Sequence, residues 1–84
     1  MAEISLRTLI HARLGQRMDR LGLRADDLTD DLDLVRGGVL DSLGFVDLIA
    51  DLENATGTRV DLERALERKD ATTVGGIITL FSAL

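Results

Sequence analysis

The sequence predicts an all-α bundle of three main helices and one short one, with a long first loop. Three observations carry that expectation. Apolar residues recur at steps of three and four in three separate segments. No segment alternates apolar and polar residues as a half-buried strand would. Gly, Asp or Thr stand at the points where the periodic segments begin or end.

The first helix is expected over 4–21. Leu6, Ile10, Leu14, Met18 and Leu21 form one apolar face with Leu9 beside it, and Arg7, Arg13, Arg17 and Arg20 fall largely off that stripe. Gly22 is the expected C-cap. Periodicity then fails over 23–41, where Asp26–Asp27, Asp30–Asp31 and Gly37–Gly38 punctuate the chain. A loop of that length is functional or disordered in most compact domains. Its spaced Leu28, Leu32, Leu34 and Leu40 argue that it packs onto the core.

The second helix is expected over 42–55, with Asp41 as N-cap and Gly57 beyond its end. Phe45, Leu48, Ile49 and Leu52 make its first apolar face, and Leu43, Val46 and Ala50 a second stripe. Such a helix is either buried twice or presents one side to a partner. A short helix follows over 62–68 with Leu62, Ala65 and Leu66 facing in, after an isolated Val60. The last helix, over 74–83, repeats Val74, Ile77, Ile78 and Phe81 behind a Thr73 N-cap. Gly75 and Gly76 each weaken it by roughly 1 kcal/mol relative to Ala, so tertiary packing must hold it.

Eighty-four residues form one domain, 1–84, able to bury roughly 60–65% of the unfolded chain's surface. Hydrophobic residues make up 45% of the chain, yet Phe45 and Phe81 are the only aromatics, so the core is aliphatic. Without Cys there is no disulfide, thiolate nucleophile or Cys-bound zinc. The apolar runs are too short to span a bilayer and no basic-then-apolar leader opens the chain, so a cytoplasmic, monomeric, soluble domain is expected.

The net charge of −5 is unevenly spread. Residues 1–25 hold five Arg against Glu3 and Asp19, whereas residues 26–53 hold nine acids against Arg36 alone. An acidic middle argues against nucleic acid as a partner. It fits either protein partners with basic patches or loops that merely keep the domain soluble.

Few residues could carry chemistry. An EF-hand read from Asp27 or Asp31 puts Leu32 or Arg36 where the loop needs Gly, so no metal site is expected. Gly37–Gly38 lack the Lys and the strand of a phosphate loop, and are expected to serve the tight approach to the second helix. His11 has no sequence partner to make it a base, and Ser5, Ser42 and Ser82 stand in no nucleophile elbow. The chain is not expected to be an enzyme. Ser42 is different in position, lying at the first residue of a helix near the positive end of the macrodipole, with Asp41 before it and Leu43 and Val46 after. That suits a phosphate ester, although serines often stand at helix starts with no such role.

The run Gly38-Val39-Leu40-Asp41-Ser42-Leu43-Gly44-Phe45-Val46-Asp47-Leu48-Ile49 resembles the signature of acyl and peptidyl carrier proteins, in which Asp-Ser-Leu opens the second helix. The similarity extends to the amphipathic first helix, the acidic loop, Glu53 late in the second helix, the short third helix and Thr73-Val74 opening the fourth. The resemblance implies an acyl-carrier-like four-helix bundle. It implies 4′-phosphopantetheine, transferred from coenzyme A by a phosphopantetheinyl transferase, on Ser42, carrying thioesters between enzymes. It further implies that Asp41, Leu43, Val46, Asp47, Ala50 and Asp51 face ligases, synthases and the transferase. Gly44 stands where fatty-acid carriers usually have an acid, and Thr56 and Asp61 where they have Phe and Pro. Leu40-Asp41-Ser42-Leu43-Gly44 looks similar to discrete carriers of the D-alanyl type, so a specialised pathway is expected; fatty-acyl, polyketide and aminoacyl cargo stay open. The rival expectation is a carrier-like interaction module that has lost its prosthetic group.

Overall fold

A computed structural model describes residues 6–82. Among these the chain forms α1 (Leu6–Arg20), α2 (Ser42–Thr56), α3 (Leu62–Ala65) and α4 (Val74–Ser82), and no strand. The architecture is the all-α, carrier-like bundle expected. The start of the first helix at 4, the end of the last at Ala83, Ser5 and the limits of the 1–84 domain lie outside the described residues.

The core joins all the main elements. Ile10, Leu14 and Met18 of α1 meet Phe45, Leu48, Ile49 and Leu52 of α2, with Val74, Ile77 and Phe81 of α4. Each set recurs at i, i+3, i+4, i+7 or i+8, so each helix contributes one stripe. Leu28, Leu34 and Leu40 of the first loop belong to the same core, as their spacing predicts, with Leu32 partly buried against it; Val39, outside the expected set, is buried with them.

That loop is more structured than the sequence suggests. Ala25–Asp27 form a short 3₁₀ turn, and Asp33 makes an isolated antiparallel bridge with Thr73. Arg7 reaches from α1 to the Leu28 carbonyl and to the Asp30 carboxylate, tying down the loop's first half. Its second half is tied to the start of α4. The Leu34 N–H donates to Thr72 O at 2.9 Å and the Val74 N–H to Leu32 O at 2.9 Å.

Those contacts account for α4's otherwise unpaired first-turn donors. Beyond Val74, the Gly75 N–H donates to Asp30 O at 2.9 Å and the Gly76 N–H to Thr73 Oγ1 at 2.9 Å, so Thr73 caps the helix as expected. The two glycines are what this packing requires. A Cβ at Gly76 would stand 1.9 Å from Asp70 O, and one at Gly75 2.9 Å from Asp30 O. The loss of helix propensity noted above is thus the cost of letting two chain segments cross α4's first turn.

Three boundaries differ from expectation. The first helix ends at Arg20, and Leu21 is 51% exposed. Gly22 adopts φ +74°, donating to Asp19 O, while the Leu23 N–H donates to Met18 O at 2.8 Å. This paired closure swings Leu21 out and tucks Leu23 against the core in its place. The second helix runs one residue further, to Thr56, before Gly57 caps it. The third is a single turn rather than 62–68. After Leu66 the bonds shorten to i→i+3, Glu67 N–H to Arg64 O and Arg68 N–H to Ala65 O. One turn has room for one inward residue, Ala65; Leu62 is half-buried and Leu66, expected inside, is 50% exposed.

Asp33 is the pin of the loop. Its Oδ1 accepts from Val35 N–H at 3.0 Å, Arg36 N–H at 2.8 Å and the Thr72 hydroxyl at 2.8 Å. Partial burial pushes its carboxyl up, but the hydrogen bonds from Arg36, Thr72 and Val35 and the Arg36 charge outweigh this. They hold it below its ordinary value of 3.8. A lowered native pKa gives stability that is present in full well above 3.8 and lost as the pH falls below it. Asp33→Ala is expected to destabilise the fold by about 1–3 kcal/mol at neutral pH. Asp33→Asn, which keeps an acceptor at Oδ1, is expected to lose less. Denaturant melts at neutral and acid pH check this, the gap between wild type and Asp33→Asn closing on acidification.

Candidate functional site

The site begins with the entry into α2. Gly37 N–H donates to Asp33 O at 2.8 Å and Leu40 N–H to Leu34 O at 2.8 Å, folding the end of the loop back on itself. This delivers Asp41 in extended conformation, φ −85° and ψ 179°, as the N-cap. Its Oδ1 accepts from the Gly44 N–H at 2.7 Å and its carbonyl from the Phe45 N–H at 2.9 Å. The sequence places the cap at Asp41, and the geometry agrees.

Ser42 is therefore the first residue of α2, and it is exposed. Its hydroxyl has no hydrogen-bond partner among the described residues, and neither have the N–H groups of Ser42 and Leu43. The start of a helix carries roughly half a positive charge, so an anion beside Oγ would be favoured. Leu43, 75% exposed, points away from the core and leaves the hydroxyl accessible. A phosphodiester-linked group on Oγ fits this setting.

The rest of α2 divides into two faces. Phe45, Leu48, Ile49 and Leu52 are buried. Leu43, Val46, Asp47, Ala50 and Asp51 are all exposed, with Val46 45% exposed. The six residues expected to meet partners, Asp41 among them, thus lie together on the outer side of the helix that Ser42 opens. The second apolar stripe is not buried a second time.

Glu53 is not part of that outer face. It is half-buried, and its Oε2 accepts from the Val60 N–H at 2.9 Å, fastening the link to α3. Two residues absent from the expected site border the outer face of α2: Arg13 and Arg17 of α1 line a cleft of ≈150 Å³ with Asp47 and Asp51. Their spacing of four on α1, next to the buried stripe, was the available signal. A larger cleft of ≈410 Å³ lies elsewhere, between Asp30, Asp31, Asp70 and the start of α4. No three acidic or His side chains converge as a metal site among the described residues, and His11 is exposed on α1. No helix among the described residues is long and apolar enough to cross a membrane.

A family model for the phosphopantetheine attachment site matches residues 18–81, and the chain belongs to that family. No curated protein and no solved structure matches it. Members of the family bind 4′-phosphopantetheine covalently on a serine and act as carriers, not as catalysts. The chain is accordingly a phosphopantetheine-bearing carrier domain. Family members interact with phosphopantetheinyl transferases and with biosynthetic enzymes.

Proposed function

We propose that Ser42 is the serine that carries the prosthetic group, and that the chain serves a specialised biosynthetic pathway as a discrete acyl or aminoacyl carrier. The observation that supports this most is the exposed, partner-free Ser42 hydroxyl at the first position of α2, inside the matched span. When bound, 4′-phosphopantetheine supplies a thiol on a long arm, on which acyl or aminoacyl groups are held as thioesters; this suits a chain without Cys.

The chain's own residues contribute position and charge. Ser42 Oγ would form the new ester bond to phosphorus as the pyrophosphate bond of coenzyme A breaks and its adenosine bisphosphate leaves, the hydroxyl proton passing to a base on the transferase or to water. The free N–H groups of Ser42 and Leu43 and the helix dipole favour the phosphodiester charge that results. Asp41 keeps the first turn closed through Gly44. Partner enzymes with basic patches, the transferase first among them, meet Asp47 and Asp51 during approach, and Leu43, Val46 and Ala50 lose water on contact.

The lead Leu40-Asp41-Ser42-Leu43-Gly44, similar to that of stand-alone D-alanyl-type carriers, favours aminoacyl or specialised acyl cargo over bulk fatty-acid synthesis. Gly44 is also packed tightly. A Cβ there would come within 3.2 Å of the Leu40 side chain and 3.1 Å of Asp41 Oδ1, so an acid at this position would require those two side chains to shift by a few tenths of an ångström. Coenzyme A, the donor of the arm, is plentiful in the cytoplasm, which supports loading there.

Labelling with a fluorescent coenzyme A analogue and a broad-specificity transferase tests the Ser42 reading, with unlabelled, folded wild type as the result against it. The same assay tests the acidic face. Asp47→Arg is expected to slow labelling several-fold at low salt when carrier is sub-saturating, through the association rate. The difference should fade near ~1 M salt, where screening acts within about 3 Å. Equal rates at low salt would rule out steering by Asp47.

A further inference from the structure

The sequence gives residues 1–25 an excess of Arg that the carrier role leaves unexplained. The cleft between α1 and α2 gives it a place. Arg13 and Arg17, four apart, form one row on α1; Asp47 and Asp51, four apart, form the facing row on α2. Leu14 and Leu48 line the cleft with them. All four charged side chains are exposed, and none is in an ion pair among the described residues. The two rows therefore do not consume each other. They offer an incoming surface a negative strip with a positive strip alongside.

We propose that Arg13 and Arg17 set partner choice by repelling surfaces that are basic throughout. The partner this face fits carries a basic patch over Asp47 and Asp51, bordered by carboxylates over Arg13 and Arg17. An enzyme whose patch is uniformly basic gains from the α2 row but meets like charge as soon as its footprint crosses the cleft. Like-charge juxtaposition at an interface is a strong discriminator, and specificity arises as much from such penalties as from attraction. Selectivity of this kind would keep a specialised carrier apart from enzymes that serve other carriers. The inference rests on the reading of α2 as the docking face, and not on which serine is modified.

The test measures association of the Ser42→Ala chain, which cannot react at that position, with an immobilised broad-specificity phosphopantetheinyl transferase whose carrier-binding surface is basic. An Arg13→Gln/Arg17→Gln variant in that background is compared with its parent. The expected result is an association rate about threefold or more faster at low salt, the two rates converging near ~1 M salt. An Arg13→Lys/Arg17→Lys variant keeps the charges and is expected to match the parent, which separates charge from packing. Equal or slower association of the Gln variant would overturn the proposal, as would no measurable association of either chain. Sedimentation at low salt adds a further check. A monomer is expected; a dimer that the Gln substitutions dissociate would mean that these arginines meet the acidic row of a second copy, and would also overturn it. Loss of labelling in wild type with this charge effect intact would instead count against Ser42 alone.

Discussion

Replacing Ser42 with alanine is expected to abolish phosphopantetheine loading and to leave the fold unchanged. The serine hydroxyl makes no hydrogen bond among the described residues, and the side chain is exposed. The cap at this helix start belongs to Asp41, not Ser42. Surface substitutions of this kind stay within about 0.5 kcal/mol, which for a domain of this size is a shift of roughly 2–4 °C in melting temperature. Loading, by contrast, needs an oxygen nucleophile at one position on the transferase, and no neighbouring residue offers one. Asp41 is committed to Gly44, and the next residue, Leu43, is aliphatic. A thermal melt and a labelling assay on the same sample check both halves. A fall of 10 °C or more, against the roughly 2–4 °C allowed above, would mean that Ser42 is a structural residue.

The second large effect is expected in the first loop. Leu34 is fully buried at 0% exposure, and its backbone holds two of the loop's hydrogen bonds, to Thr72 O and from Leu40 N–H. Leu34→Ala is expected to cost about 2–5 kcal/mol, since the cavity cannot collapse around a backbone pinned on both sides. Domains are stable by only about 5–15 kcal/mol, and one this small stands toward the lower end. The variant should therefore melt well below wild type. It should also load more slowly near its melting temperature, because the Leu34–Leu40 bond helps deliver Asp41 and Ser42 to the start of α2. Chemical denaturation gives the stability change; a loss under about 1 kcal/mol would mean that the loop packs more loosely than described.

Much of this was legible in the sequence because it rests on local rules. Helical spacing identified the buried faces of α1, α2 and α4, and the Asp41, Thr73 and Gly22 caps were readable because capping depends on residues within three or four of one another. The second apolar stripe of α2 was legible, but periodicity alone left it either buried or turned to a partner; the carrier-protein resemblance is what implied an outer face with Asp47 and Asp51 on it. What the sequence did not reveal depends on contacts distant along the chain. The pin between Asp33 and Thr72, the carbonyls of Asp30 and Asp70 that exclude a side chain at Gly75 and Gly76, and the Glu53 bond to Val60 are all of this kind. Periodicity puts Leu21 and Leu66 inside because the pattern continues past the point where a helix ends. A turn reverses the direction of the next residue, and the pattern alone does not show where that happens.

Ser42 as the point of attachment is the central claim, and mass spectrometry addresses it most directly. Wild type would be incubated with coenzyme A, Mg²⁺ and a broad-specificity transferase, weighed intact, then digested and fragmented to locate any added mass. One phosphopantetheinyl increment, carried by the peptide containing Asp41-Ser42-Leu43 and localised to Ser42, is the expected result. An increment on Ser5, Ser82 or any other residue, or none on a folded chain while a control carrier is fully converted, would contradict it.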